Sequence, residues 1–309
     1  MVRLHIDTDI GGDIDDLCAL ALALKWPEAE LVGVTTVAEH SGRRAGYARY
    51  ALELAGRTDV EVASGADASG GFYRDFPLLP KREDAYWPGG VESYPTPCDE
   101  ALDLLERSIS RGAILCAIGP YTNLALLEKR SPGILREARL CLMGGFVFPP
   151  REGYPQWDYQ RDYNVQVDAE SARVVFDSAV SPTLVTLAST AETALRFSQL
   201  AALEAADPLA QLVARQAKVY AASEASRTHF GGEYAGLPED FINFQHDPLA
   251  CAVALGWDEG IRVEEMPLSS SVEDGGLVQR VEEGGRAAKV LTRVDGPAFD
   301  ELWLHTVTR

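Results

Sequence analysis

The stretch LHIDTDIGGDIDDLCALALAL, residues 4–24, decides how this chain is read. It opens on a short apolar run of strand character, LHI, and closes on one of helical character, LCALALAL, with Asp7, Asp9, Asp13, Asp15 and Asp16 wedged between them. Carboxylates at this density repel one another unless something positive sits among them. Helix capping and the helix dipole account for one or two, Asp13 and Asp15. They do not account for Asp7 and Asp9, which extend a strand, where Asp is depleted. A hard cation is the natural partner, because Ca²⁺ and Mg²⁺ take oxygen ligands. The spacing is not that of an EF-hand. With Asp7 as first ligand, Gly11 falls at the fifth position, Cys18 stands where a bidentate Glu belongs, and a strand precedes the loop.

Outward from this stretch, strand-like and helix-like segments alternate. Strands are expected at LVGVTTV (31–37), AILCAIG (113–119), ARLCLMGG (138–145) and TLVTL (183–187). Helices are expected at about 13–25, at 41–56, at YTNLALLEKR (121–130), along the Ala-rich 192–226 and from Asp247. Short buried strands between helices predict an α/β fold, a single domain over 1–309 with a mostly parallel central sheet flanked by helices. Ligands of such sheets bind outside the carboxyl ends of the strands. The informative loops are therefore the Asp cluster, VAEHSG after the second strand, GPYTN, and the long FVFPPREGYPQWDYQRDYN. The aromatic segment 71–97 reads as a structureless functional surface loop.

Composition bounds the function. With 309 residues, 46% hydrophobic and 24% charged, the chain has enough apolar material for one sizeable core. A net charge of −19 leaves no electrostatic footprint for nucleic acid or an anionic membrane surface. The longest apolar run falls far short of a membrane span, and the N-terminus enters a strand without signal-peptide organisation, so a soluble cytoplasmic protein is expected. The five cysteines are an odd number without CxxC spacing, which favours small core residues in a reduced chain over disulfides or zinc.

Four segments, in order, carry a resemblance. DTDIGGDIDD followed by an apolar helix resembles the N-terminal signature of the inosine-uridine-preferring nucleoside hydrolases, Asp-x-Asp-x-Gly-x-Asp-Asp, with two extra residues. GPYTNLALL (119–127) resembles the family's Gly-Pro-Leu-Thr-Asn-Leu-Ala segment, LMGGF with RDYNVQVDAESA (142–172) its Met-Gly-Gly and Glu-Phe-Asn-x-x-x-Asp-x-Glu-Ala pair, and HDPLA (246–250) its His-Asp-Pro-Leu-Ala. The resemblance covers nearly the whole chain. It implies a nucleoside hydrolase-like fold with a Rossmann-like core and Ca²⁺-dependent hydrolysis of a ribonucleoside to ribose and free base. It also implies a small-molecule nucleoside as partner, a place in purine or pyrimidine salvage, and a homodimer or homotetramer.

Carried over residue by residue, the resemblance assigns the Ca²⁺ ligands to Asp9, Asp16, the Thr122 backbone carbonyl and Asp247. Asp9 is also the catalytic base for the attacking water. Asp15 and Asn164 hold sugar hydroxyls, and Asp247 serves metal and sugar together. His246 supplies or assists the proton for the leaving base, a contribution of roughly 10²- to 10⁴-fold. Met143, Asp162, His40 and Trp157 complete the substrate-facing set. Asp13 is surplus, expected only to cap the helix.

The pattern departs from the family at Glu39-His40, where Gly-Asn is usual, at Asp162, where Glu is usual, and at Gln156-Trp157, where an Asn is expected. A family loop histidine has no counterpart in YWPGGVESY. The expectation is a retained ribose and metal site with an altered 5′ end and base pocket, fitting a modified or 5′-substituted nucleoside. Trp157, Tyr159, Phe230 and Tyr234 are candidates to stack on a base. Two other readings compete: a non-catalytic Ca²⁺-dependent nucleoside- or ribose-binding protein, and a haloacid-dehalogenase-type phosphatase with Asp7 as nucleophile.

Overall fold

The computed structural model describes residues 1–67, 83–223 and 230–309. Among these, nine strands form one sheet: β1 (Val2–Thr8), β2 (Ala29–Thr36), β3 (Val62–Ser64), β4 (Ile114–Ala117), β5 (Arg139–Met143), β6 (Thr183–Val185), β9 (Ile261–Glu273), β10 (Gly276–Val281) and β11 (Arg286–Val294). Two more, β7 (Ala194–Arg196) and β8 (Phe241–Phe244), pair antiparallel with each other. The large sheet runs β10-β9-β11-β6-β5-β4-β1-β2-β3. From β11 to β3 every pairing is parallel, and β9 is antiparallel to both its neighbours.

The helices are α1 (Asp15–Lys25), α2 (Arg43–Leu54), α3 (Glu83–Tyr86), α4 (Cys98–Ser110), α5 (Thr122–Arg130), α6 (Tyr163–Gln166), α7 (Ala169–Ser178), α8 (Leu187–Thr190), α9 (Leu200–Ala205), α10 (Pro208–Ser223), α11 (Phe230–Glu233), α12 (His246–Ala254) and α13 (Gly296–Val307). Side chains alternate across a strand, so each central strand feeds two cores. Leu4, Ile6, Cys116, Cys141 and Met143 join the core that contains α1, α12 and α13. Leu115, Ala117, Leu140 and Leu142 join the one that contains α5 and α7. Helix α1 is buried from Asp15 to Ala23, as a helix apolar on all sides must be. It packs against α12 and α13, and Trp303 of α13 donates from Nε1 to the Cys18 carbonyl at 3.1 Å.

The mostly parallel α/β sheet matches the expectation, with three differences. The Ala-rich 192–226 is not one helical run: β7 comes first, and α9 and α10 are split before Pro208, which cannot continue a helix from Ala206 and Asp207. Within 71–97, residues 71–82 lie outside the described ones; Trp87 is fully packed, stacked on Tyr47 with centroids 4.3 Å apart, whereas 88–97 is irregular and half-buried or exposed, as a surface loop is expected to be. The C-terminal strands β9–β11 carry no apolar run and went unseen in the sequence, because charged residues cover their exposed faces. All five cysteines are free, four of them buried. No helix among the described residues is long and apolar enough to cross a membrane.

One face of β1 is polar where the other is apolar. His5 bonds Ser108 Oγ at 2.8 Å and Thr35 Oγ1 at 3.0 Å, and Thr35 donates to Asp7 Oδ1 at 2.5 Å. Burial, with a smaller push from Arg107, drops the His5 pKa from 6.5 to about 3. Between those values the unfolded chain binds a proton that the folded one refuses, so His5 makes stability rise with pH, by up to about 1.4 kcal/mol per unit. Burial lifts Asp7 from 3.8 to about 7, which acts in the opposite sense between those values. The His5→Gln variant should therefore lose stability less steeply than the parent as pH falls from 6.5 toward 3, and urea unfolding across that range measures the difference; parallel curves would contradict the buried neutral histidine.

Candidate active site

The strand order reverses direction at β1, whose neighbours are β2 on one side and β4 on the other. The loops leaving the carboxyl ends of β1 and β4 thus open the crevice where open α/β sheets bind ligands. The loop after β1 is the aspartate stretch. Thr8 Oγ1 accepts from Ile10 N at 3.1 Å and donates to Asp16, closing the turn on itself. The loop is pinned from outside: Trp87 Nε1 donates to the Gly11 carbonyl at 3.2 Å, and Asn243 Nδ2 donates to Asp13 Oδ1, in the two-residue insertion, at 2.6 Å. Ile14 holds the N-cap position of α1 without a side-chain cap; Asp13 Oδ1 accepts from the Ile14 backbone N–H at 2.6 Å and also fastens the loop to β8.

Asp15, Asp16 and Asp247 are buried, with ligand oxygens within 4.8 Å of one another. Burial raises the pKa of all three well above the ordinary carboxylate value, and repulsion among them, Asp9 and Asp13 adds to it. Buried carboxylates this close are the donor set of a hard cation, which would relieve both the desolvation and the repulsion. Asp9 stands outside the compact trio, near enough that its charge bears on each member. It is reached closely by the loop after β4: a Cβ on Gly119 would come within 2.8 Å of Asp9 N and 2.9 Å of its Oδ1. Thr122 starts α5, its hydroxyl donating to Asp168 Oδ2 at 2.6 Å, which ties the β4 loop to the N-cap of α7. That bond leaves the Thr122 carbonyl out of account.

The remaining expected residues gather less evenly. Asn164 Nδ2 donates to the carbonyls of Ile118 at 2.9 Å and Met143 at 3.2 Å, so the residue bridges the β4 and β5 loops. Asp162 is buried and lifted to about 7, and both its oxygens accept backbone N–H groups, from Gly145 at 2.6 Å and Val165 at 3.3 Å. Trp157 sits edge-on to Phe244 at 5.0 Å and 6.2 Å from His246. Its loop is anchored where Arg151 Nε donates to Glu192 at 2.6 Å. His246 stacks on Phe244 at 5.2 Å, and its Nδ1 lies 2.6 Å from Thr190 Oγ1. Phe230 and Tyr234 stack on each other at 5.7 Å, with Phe230 against Phe241 and Phe244, a packing role. Tyr159 is partly exposed and His40 exposed.

Three residues, Arg44, Asn243 and Thr190, carry roles not read from the sequence, and Glu39, noted there only as a departure from the family pattern, carries a fourth. Glu39, rather than its neighbour His40, organises the loop after β2, accepting from Thr36 Oγ1 at 2.5 Å and from the backbone N–H of His40, Arg44 and Ala45. Buried Arg44 donates to the carbonyls of Ala38 at 2.8 Å, Ile10 at 3.2 Å and Asp9, and its charge steadies Asp16. One signal was present: Arg44 falls on the stripe of Ala48, Ala51 and Leu52, an arginine on the buried face of α2. Asn243 and Thr190 have no such signal. Asp7 is fully buried, its Oδ1 taken by Thr35 and by Asn123 at 2.8 Å. It lies behind the site, which removes the phosphatase reading.

The family model of the inosine-uridine preferring nucleoside hydrolases matches residues 4–301. The Non-specific ribonucleoside hydrolase RihC of Salmonella paratyphi B is 34% identical over 193 residues, 57% of this chain and 58% of the relative. The Pyrimidine-specific ribonucleoside hydrolase RihA of Citrobacter koseri is 29% identical over 184 residues, 54% of each chain. The chain thus aligns with a little over half the length of these curated relatives. The fold is that of a purine-preferring ribonucleoside hydrolase from Gardnerella vaginalis, with a TM-score of 0.78, 23% identity, and 99% and 98% of the two chains covered. A match that begins in β1 and ends inside α13 takes in every segment that builds the crevice, and the chain is a member of the inosine-uridine preferring nucleoside hydrolase family.

Proposed function

We propose that this chain, as one domain over 1–309, hydrolyses the N-glycosidic bond of a ribonucleoside to ribose and free base in a Ca²⁺-dependent reaction. The observation that carries the reading is the buried trio of Asp15, Asp16 and Asp247 at the reversal point of the sheet, with Asp9 beside it and His246 on the same helix as Asp247. Asp9, Asp16, Asp247 and the Thr122 carbonyl would hold the cation, which supplies Lewis acidity toward water and sugar hydroxyls when bound.

The chain's own residues do the rest. The Asp9 carboxylate accepts the proton of the attacking water. Asp15 and the Asn164 amide orient the sugar hydroxyls, and the surrounding carboxylates stabilise the positive charge that grows on the ribose ring as the bond breaks. His246 attends the leaving base. Both oxygens of Asp162 already accept backbone N–H groups, and Asp162 is one carbon shorter than the usual acid; this supports a substrate altered at its 5′ end or base rather than plain inosine or uridine.

Base release from a nucleoside panel, followed with and without chelator, tests the reading. Release should stop with chelator and fall by at least about 10²-fold in Asp9→Asn; tight binding without release would instead mean a nucleoside-binding protein, and best activity on unmodified inosine and uridine would sink the altered-substrate idea. Because the trio repels itself, Ca²⁺ should raise the melting temperature of the metal-free protein. Asp16→Asn should be more stable than the parent in chelator at neutral pH and respond less to Ca²⁺. Gly119→Ala should displace Asp9 and lower kcat while leaving the fold in place, as read by circular dichroism beside the kinetics.

A further inference from the structure

The Thr190 hydroxyl has a single proton, and the geometry accounts for it. Oγ1 donates to the Leu187 carbonyl at 3.1 Å, one turn back along α8. The same oxygen lies 2.6 Å from His246 Nδ1, and one member of that pair must bring a proton. With its own proton on Leu187, Oγ1 is left as an acceptor, so the proton belongs to Nδ1. Thr190 is 0% exposed, so water does not enter to exchange roles. Its backbone is held as well: Thr193 Oγ1 donates to the Thr190 carbonyl at 2.9 Å, and Thr186 caps α8 by accepting from Ser189 N. The ring cannot swing away, because Phe244 stacks on it and Trp157 closes from the side.

We infer that Thr190 is a positioning residue that holds His246 in its Nδ1–H tautomer and thereby assigns Nε2 to the leaving base. The tautomer stands on the hydrogen bonds alone; its catalytic consequence rests on the nucleoside hydrolase reading above. The ring donates as the imidazolium, with Nδ1–H held on Thr190 and a second proton taken up from solvent on Nε2. As the C–N bond breaks, its electron pair goes to the base, the base takes the Nε2 proton, and the ring is left neutral with its remaining proton on Nδ1. That is the form Thr190 already favours, so the ring need not turn over between cycles and only Nε2 has to take up a proton from solvent again.

Thr190→Val removes the hydroxyl at nearly constant shape, and Thr190→Ser keeps it. In ¹⁵N-histidine-labelled protein with Ca²⁺ in mildly alkaline buffer, long-range ¹H–¹⁵N spectra should show His246 protonated at Nδ1 in the parent and in Thr190→Ser, and shifted toward Nε2–H in Thr190→Val. With a nucleoside substrate, Thr190→Val should lose about 10-fold or more in kcat with little change in KM, and Thr190→Ser should recover most of it. With 4-nitrophenyl β-riboside, whose leaving group departs without a proton, Thr190→Val should stay near the parental rate. An Nε2–H ring in the parent overturns the inference, and so does an equal loss on both substrates, which would mean Thr190 only supports the fold. If the parent turns over no nucleoside, the function reading fails while the spectra still decide the tautomer.

Discussion

Like charge held close in a buried place is the constraint around which this structure is arranged. Asp15, Asp16 and Asp247 bring ligand oxygens within 4.8 Å of one another, with Asp9 and Asp13 adding to the repulsion. Such a group is tolerated only where the surroundings lower its cost. The first turns of α1 and α12 carry the trio, so the positive ends of two helix dipoles meet at the negative charge. Thr8 donates to Asp16, and the Arg44 guanidinium lies buried against the carbonyls of Asp9 and Ile10. Such a donor set suits a hard cation, which would complete the compensation.

The packing of the molecule serves the same end. Helices α1 and α12 lie against each other in one core, and this contact brings residues 15, 16 and 247 together. Asp13 and Asn243 add a polar fastening between the loop after β1 and β8, the strand that leads into α12. Behind the site, on the opposite face of β1, the chain Ser108, His5, Thr35, Asp7 and Asn123 fills the space with hydrogen bonds rather than methyl groups. Asp7 is thereby held beneath the loop that carries Asp9. The loop after β5 is fixed in a similar way, through Asp162 to Gly145 and through Arg151 to Glu192.

What was legible in the sequence is what local chemistry writes there. Strands β1, β2, β4, β5 and β6 are short apolar runs between helices, and β9–β11, whose residues alternate with charge on an exposed face, left no comparable mark. Asp15, Asp16 and Asp247 stand in motifs whose spacing could be matched. Asp13 could not be placed, because its partner Asn243 is 230 residues away and no local rule joins them. His40 drew attention by departing from the family pattern, yet its neighbour Glu39 makes the buried contacts, a choice decided by which side chain turns inward.

By itself, then, the sequence determined the alternating α/β plan, the acidic loop after the first strand and the family, because hydrophobic periodicity and contiguous motifs are properties of neighbours along the chain. Tertiary structure alone decided that the carboxylates of α1 and α12 meet, that Arg44 is their buried counter-charge and that Thr190 sits on His246 Nδ1. Those relations join atoms from separate elements across a folded sheet, and a hydrogen bond or a charge contact depends on distances of a few ångströms that residue spacing does not encode.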